Sequence, residues 1–71
     1  MNKDELYFSV FCIENIARNL KLNGAEVYDI LTDKSRILDE YIIPSYDSLH
    51  TQGKDYIVND IVEYMEKEGL V

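Results

Sequence analysis

The run KDYIVNDIVEYMEKEG, residues 54–69, places Ile57, Val58, Ile61, Val62 and Met65 three and four positions apart, with Asp55, Asn59, Asp60, Glu63 and Glu66 between them. That spacing is the period of an α-helix with one apolar face and one charged face. Gly69 suits the left-handed residue that ends such a helix, leaving Leu70 and Val71 to fold back onto a core. A helix of this kind needs a second apolar surface to cover its stripe, and the longest one lies at the other end of the chain.

Between Asp4 and Leu22, the residues Leu6, Val10, Ile13, Ala17 and Leu20 recur at helical spacing, and Tyr7, Phe8, Phe11, Cys12 and Ile16 widen the stripe. Ser9, Glu14, Asn15, Arg18, Asn19 and Lys21 are left for the polar side, so burial is expected over more than half of the circumference. Val10, Ile13, Ile16 and Ala17 are expected to pack against Ile57, Ile61, Val62 and Met65. Asp4 and Glu5 suit the positive end of the helix dipole, Arg18 and Lys21 the negative end. Asn23-Gly24 should stop this helix and start the next, with Asn23 and Glu26 forming a capping box.

The second helix is read as Gly24 to Thr32, with Val27, Ile30 and Leu31 on its apolar face. After the polar break Asp33-Lys34-Ser35, the residues Ile37, Leu38, Tyr41 and Ile42 resume a helical period, which should end at Ile43 because proline at position 44 disfavours helical angles there. Ser45 to Gly53 reads as a single helical turn followed by a loop. The expected fold is all-α, a compact bundle of two longer helices (about 4–22 and 54–69) flanking two or three short helices, in a single domain spanning residues 1–71.

Composition narrows the function. A chain of 71 residues has no room for a second core, and an apolar fraction of 46% excludes a disordered chain. Fourteen acids against seven bases give a net charge of −7, the wrong sign for neutralising phosphates, so direct nucleic-acid binding is not expected. No apolar stretch approaches a membrane span, the acidic start lacks the basic region of a secretory signal, and the single Cys12 rules out an intrachain disulfide. A reducing cytoplasm fits these features best, with no membrane association.

The inventory for chemistry is thin. Cys12 lies in an apolar run where a thiol acts as a small hydrophobe, and His50 is the only imidazole. His50 with Asp47, one helical turn apart, resembles an oriented base, but bonding to a loop carbonyl is the simpler account. One His and one Cys cannot form a tetrahedral zinc set, and the acid spacing does not match a calcium loop. Asp60 with Glu63, or Glu63 with Glu66, reads as a solvated helix face before it reads as an ion site. The glycines are isolated, so no phosphate-cradling loop is present. No catalytic residue, metal or cofactor is therefore expected.

The distribution of charge and tyrosine says more. Asp39, Glu40, Asp47, Asp55, Asp60, Glu63 and Glu66 are opposed within their stretch only by Lys54, and Tyr41, Tyr46, Tyr56 and Tyr64 share that half of the chain. Tyrosine beside carboxylate is a composition suited to anchoring a protein partner, although acidity by itself also serves solubility. Tyr7 and Tyr28 fit helix faces and read as core or its margin. Tyr46, His50, Thr51 and Gln52 are required by no helix period and supply aromatic area and hydrogen-bonding groups. The competing account is that His50, Thr51 and Gln52 cap the last helix. The candidate partner-binding set is Tyr41, Tyr46, Asp47, His50, Thr51, Gln52, Tyr56, Asp60 and Glu63.

Three segments carry a resemblance: Val10 to Asn15, Glu26 to Leu31 and, above all, YIIPSYDSLHTQGKDYIV at 41–58. Together they resemble a small bacterial family of unknown function, over nearly the whole chain. The resemblance implies a stand-alone protein often encoded beside an ADP-ribosyltransferase-like protein, an arrangement similar to that of a toxin and its antidote. It carries over no catalytic residues. The expectation is a non-catalytic acidic module, antitoxin-like, that neutralises or accompanies a protein partner of basic or nucleotide-using character. The alternatives are a small phage or bacterial inhibitor that mimics nucleic acid to block a nuclease or defence complex, and a transcriptional or structural accessory subunit.

Overall fold

The computed structural model describes residues 1–71, and all its regular elements are helical: α1 Lys3–Leu20, α2 Gly24–Thr32, a π-helical segment Leu38–Ile42, α3 Tyr46–Leu49 and α4 Lys54–Lys67. α1 packs against both α2 and α4, and α2 against the π-helical segment, in a body measuring 26 × 23 × 21 Å. The expected bundle is the one that forms, with α2 at its expected bounds.

Both long helices stop two residues before the expected ends, for one reason. Lys21 (φ 57°) and Gly69 (φ 72°) are the left-handed residues, and the residue after each donates its N–H back to a carbonyl of the last turn: Leu22 to Ala17 and Leu70 to Met65, both at 2.9 Å. This clamp satisfies carbonyls that the helix end leaves free and turns a leucine onto the core. Leu22 and Leu70 are both partly buried there, while Val71 stays exposed. Lys21, rather than Asn23-Gly24, is therefore what stops α1.

The starts of α1 and α2 also share a device. Asn23 Oδ1 accepts the Glu26 N–H at 2.8 Å and Glu26 Oε1 accepts the Asn23 N–H at 3.3 Å, the capping box expected there. Asn2 and Glu5 form the same pair at 3.0 and 2.8 Å, a box that the spacing Asn-x-x-Glu equally encodes.

Pro44 does not end the third helical stretch as its residue type suggests. Ile43 keeps helical angles (φ −66°, ψ −48°), its N–H donates to Leu38 five residues back, and Ser45 donates to Tyr41 across the proline. A proline ring crowds the carbonyl four residues earlier in an α-helix, and the wider i→i+5 turn is a way to absorb it.

One core of 16 residues holds the elements together. The stripes read for α4 (Ile57, Val58, Ile61, Val62, Met65) and α2 (Val27, Ile30, Leu31) are buried as expected. α1 is different. It buries Phe8, Ser9, Cys12, Ile16 and Ala17, while Leu6, Tyr7, Val10 and Phe11 face outward and Ile13 is only partly covered. The helix is rotated by roughly a quarter turn from the expected face, at 100° per residue, and burial falls well short of half its residues. Ser9 can occupy the buried side because its hydroxyl donates to the Glu5 carbonyl at 2.8 Å. Val10 accordingly drops out of the expected contact with α4.

Two substitutions test this architecture by urea unfolding followed with circular dichroism. Ile61→Ala, at a side chain with no exposure, lowers stability by about 2–5 kcal/mol. Lys21→Gly raises it by about 0.5–1 kcal/mol, because glycine adopts the left-handed angles without steric cost.

Candidate functional site

The rotation of α1 creates the principal surface feature. Leu6 (50% exposed), Tyr7 (61%), Val10 (44%) and Phe11 (37%) stand at i, i+1, i+4 and i+5, adjacent positions on the outward face of its N-terminal half. Tyr28 on α2 is also exposed, so Tyr7 and Tyr28, read as core or its margin, both lie outside the core.

Beside this strip, α1, α3 and the start of α4 enclose an open groove of about 330 Å³. Asp4, Tyr7, Phe8 and Phe11 line it from α1, Tyr46 and His50 from α3 and the turn that follows it, and Gln52 and Ile57 from the approach to α4 and its second turn. The walls are built from stacked rings. Tyr46 meets Phe8 edge-on (centroids 5.4 Å apart, 79°), Phe8 stacks with Phe11 (6.4 Å, 16°) and Tyr46 lies flat on His50 (4.2 Å, 4°). One helical turn separates Tyr46 from His50, which puts the two rings one above the other.

His50 Nδ1 lies 2.6 Å from the Tyr46 carbonyl. A carbonyl only accepts, so Nδ1–H donates, which leaves Nε2 as the ring nitrogen not engaged by the chain's own turn. The simpler account of His50, a bond to a local carbonyl, is therefore what the geometry shows. Partial burial, followed by the carboxylates Asp4, Asp47 and Glu5, holds the Tyr46 phenol above its ordinary range. Of these acids Asp4 lines the groove itself, and the neighbouring cation Lys3 sits 5.8 Å over the Tyr7 ring.

A second cleft, of about 440 Å³, opens between the π-helical segment and α4, lined by Tyr41, Asp60, Glu63, Tyr64, Lys67 and Glu68. Tyr41 Oη donates to Asp60 Oδ2 at 2.5 Å, and the Tyr41 and Tyr64 rings are 4.9 Å apart. Its charge is partly spent within the chain, since Lys67 pairs with Glu63 at 3.3 Å; elsewhere Arg36 pairs with Asp39 at 3.9 Å. No group of three or more His, Cys, Asp or Glu side chains converges closely enough to hold a metal ion.

The candidate residues thus divide. Tyr46, His50 and Gln52 share the aromatic groove, Tyr41, Asp60 and Glu63 share the second cleft, and Asp47, Thr51 and Tyr56 line neither. Thr51 Oγ1 donates back to the Ser48 carbonyl at 3.1 Å, and Gly53 caps α4 without side-chain help, so His50, Thr51 and Gln52 do not cap the last helix. Asp4, Tyr7 and Phe11 are groove residues that the sequence reading assigned elsewhere. An apolar stripe wider than one helix can bury was the available signal, because the surplus must face outward. Cys12 is fully buried, and burial pushes its thiol up to about 12, so it is no nucleophile in the folded chain.

Fold and site together define a small acidic all-α domain with an aromatic surface groove. The chain belongs to the family described as protein of unknown function (DUF3791), whose model matches residues 7–68. No curated protein and no solved structure matches it. No helix is long and apolar enough to cross a membrane.

The Tyr41 phenol tests the second cleft. The hydrogen bond to Asp60, then burial and the Asp60 charge, push it from 10.0 up to about 12. The raised value favours the neutral phenol in the folded state, so its contribution to stability is intact below pH 10 and is lost as the pH rises toward 12. Absorbance at the phenolate band should show a late-titrating tyrosine, and Asp60→Asn should bring that step down toward the ordinary range.

Proposed function

We propose that this protein is a non-catalytic acidic protein-binding module, antitoxin-like in that it neutralises or accompanies a partner protein. The observation that carries the reading is the exposed strip Leu6, Tyr7, Val10 and Phe11 running into the stacked groove of Phe8, Tyr46 and His50. A small domain that leaves four large apolar side chains adjacent on one helix face, instead of rotating them inward, has a surface suited to association. Aromatic anchors next to polar and acidic groups are the composition of interface centres and their rims.

The same side chains support binding over turnover. The thiol is inaccessible, and the imidazole Nδ1 is committed to a carbonyl of its own turn. The family resemblance points to an ADP-ribosyltransferase-like protein as the partner class. Cytoplasmic residence accords with the free thiol and with such a partner.

Mixing the purified chain with an ADP-ribosyltransferase-like protein encoded beside a family member tests this reading. Gel filtration should show a complex, and transferase activity should fall. The pair Tyr7→Ala with Phe11→Ala should abolish both effects while leaving helical content nearly unchanged and lowering the melting temperature only modestly, since Tyr7 is exposed and Phe11 gives up its ring contact with Phe8. A complex that survives both changes, or turnover of esters, phosphoesters or nucleotides by the chain alone, refutes it.

A further inference from the structure

The binding-module reading leaves open what enters the groove, and the chemistry of its walls and mouth narrows the choice. The floor and sides are aromatic and aliphatic: Phe8, Phe11, Tyr46 and Ile57. Among the lining groups the one formal charge is the Asp4 carboxylate, beside the Gln52 amide and the His50 ring. Asp47, next to Tyr46 on α3, is exposed and adds a second carboxylate beside the groove. An apolar interior with anionic groups at its edge calls for an occupant with apolar side chains flanked by cationic donors.

The shape narrows it further. Every regular element of this chain is helical, so there is no sheet edge on which an extended peptide could add a strand. The exposed strip instead follows the α1 axis through the pairs Leu6–Val10 and Tyr7–Phe11, each one turn apart, a surface that matches side chains spaced i, i+3, i+4 and i+7 on a neighbouring helix. A second copy of the chain is a poor occupant, because it brings the same net charge of −7 and the same acids to the mouth of the groove.

We propose, resting on that reading, that the groove and strip receive a cationic amphipathic helix of the partner protein, its apolar side chains between Phe11 and His50 and its lysines or arginines against Asp4 and Asp47. Association is then steered by charge and held by apolar burial, so its on-rate falls with salt more than its off-rate changes.

Three synthetic peptides of about four helical turns test the assignment on the intact chain: a Leu/Lys amphipathic helix, its Leu/Glu twin and a Ser/Lys twin without the apolar face. Binding is followed by amide and side-chain NMR shifts. The expected result is saturable binding of the Leu/Lys peptide, with shifts centred on Tyr7, Phe11, Tyr46 and His50. Affinity should fall at least about tenfold, or 1.4 kcal/mol, for both twins and for the Tyr7→Ser/Phe11→Ser chain, and severalfold for Asp4→Asn/Asp47→Asn. Equal binding of the Leu/Glu or Ser/Lys peptide, shifts on another face, or no binding overturns the assignment, as does a concentration-dependent dimer that Tyr7→Ser/Phe11→Ser dissolves. If no peptide binds but the same double substitution still releases the transferase-like partner, the binding-module reading stands and only the cationic helix fails. If that substitution leaves the partner's complex intact, the groove is not the interface and both fail.

Discussion

Phe8, Cys12 and Ile16 stand one turn apart along α1, and their burial in the same core as the five apolar residues of α4 fixes how the first helix is turned about its axis. That rotation governs most of what the molecule presents to solvent. With Phe8 inward, its ring becomes the surface on which Tyr46 rests edge-on, and Tyr46 in turn carries His50. With Phe8, Cys12 and Ile16 inward, Leu6, Tyr7, Val10 and Phe11 must face outward, because a helix cannot bury residues on opposite sides against one layer of neighbours. Core and groove are therefore consequences of one choice, and Tyr46 serves both as a wall of the groove and as a partly buried contact of the core.

The helices whose apolar residues occupy a single narrow stripe were legible from their spacing. α2 and α4 bury the residues that periodicity selects, and Asn23 caps as its spacing with Glu26 implies. α1 was not legible to the same degree, because ten apolar positions in a helix with room to bury only one face leave the direction of that face undetermined by period. Ser9 joins the buried side against expectation, because a serine that bonds its own i−4 carbonyl costs little to bury, which residue type alone does not reveal. Pro44 misled for a related reason. The rule for the residue before proline describes an isolated backbone preference, and here Ile43 sits on a turn anchored by the buried Leu38 and Ile42.

The candidate site was partly legible. Tyr46, His50 and Gln52 stood out because no helical period needed them, and the structure brings them together on one groove. The acids stood out as a run, yet in space they disperse: Asp39 and Glu63 meet cations, Asp60 receives the Tyr41 hydroxyl, and Asp47 joins Asp4 and Glu5 from the far end of the sequence around Tyr46. Charge counted along a chain is not charge counted across a surface. What matters for a partner is the acid gathered around Tyr46, and two of its three carboxylates, Asp4 and Glu5, come from the first turn of α1.

Cys12 gives the domain a property that none of its surface groups has. It is the only cysteine, it has no exposure, and it sits at the point where the first helix meets the core. A labelling reagent reaches that sulfur only in molecules whose core has opened, so when closing outpaces reaction the labelling rate counts the rare open population directly. The thiol is thus a clock embedded in the fold. An occupant that binds only the closed form slows that clock by mass action, which makes one buried atom a gauge of events on a surface it never touches.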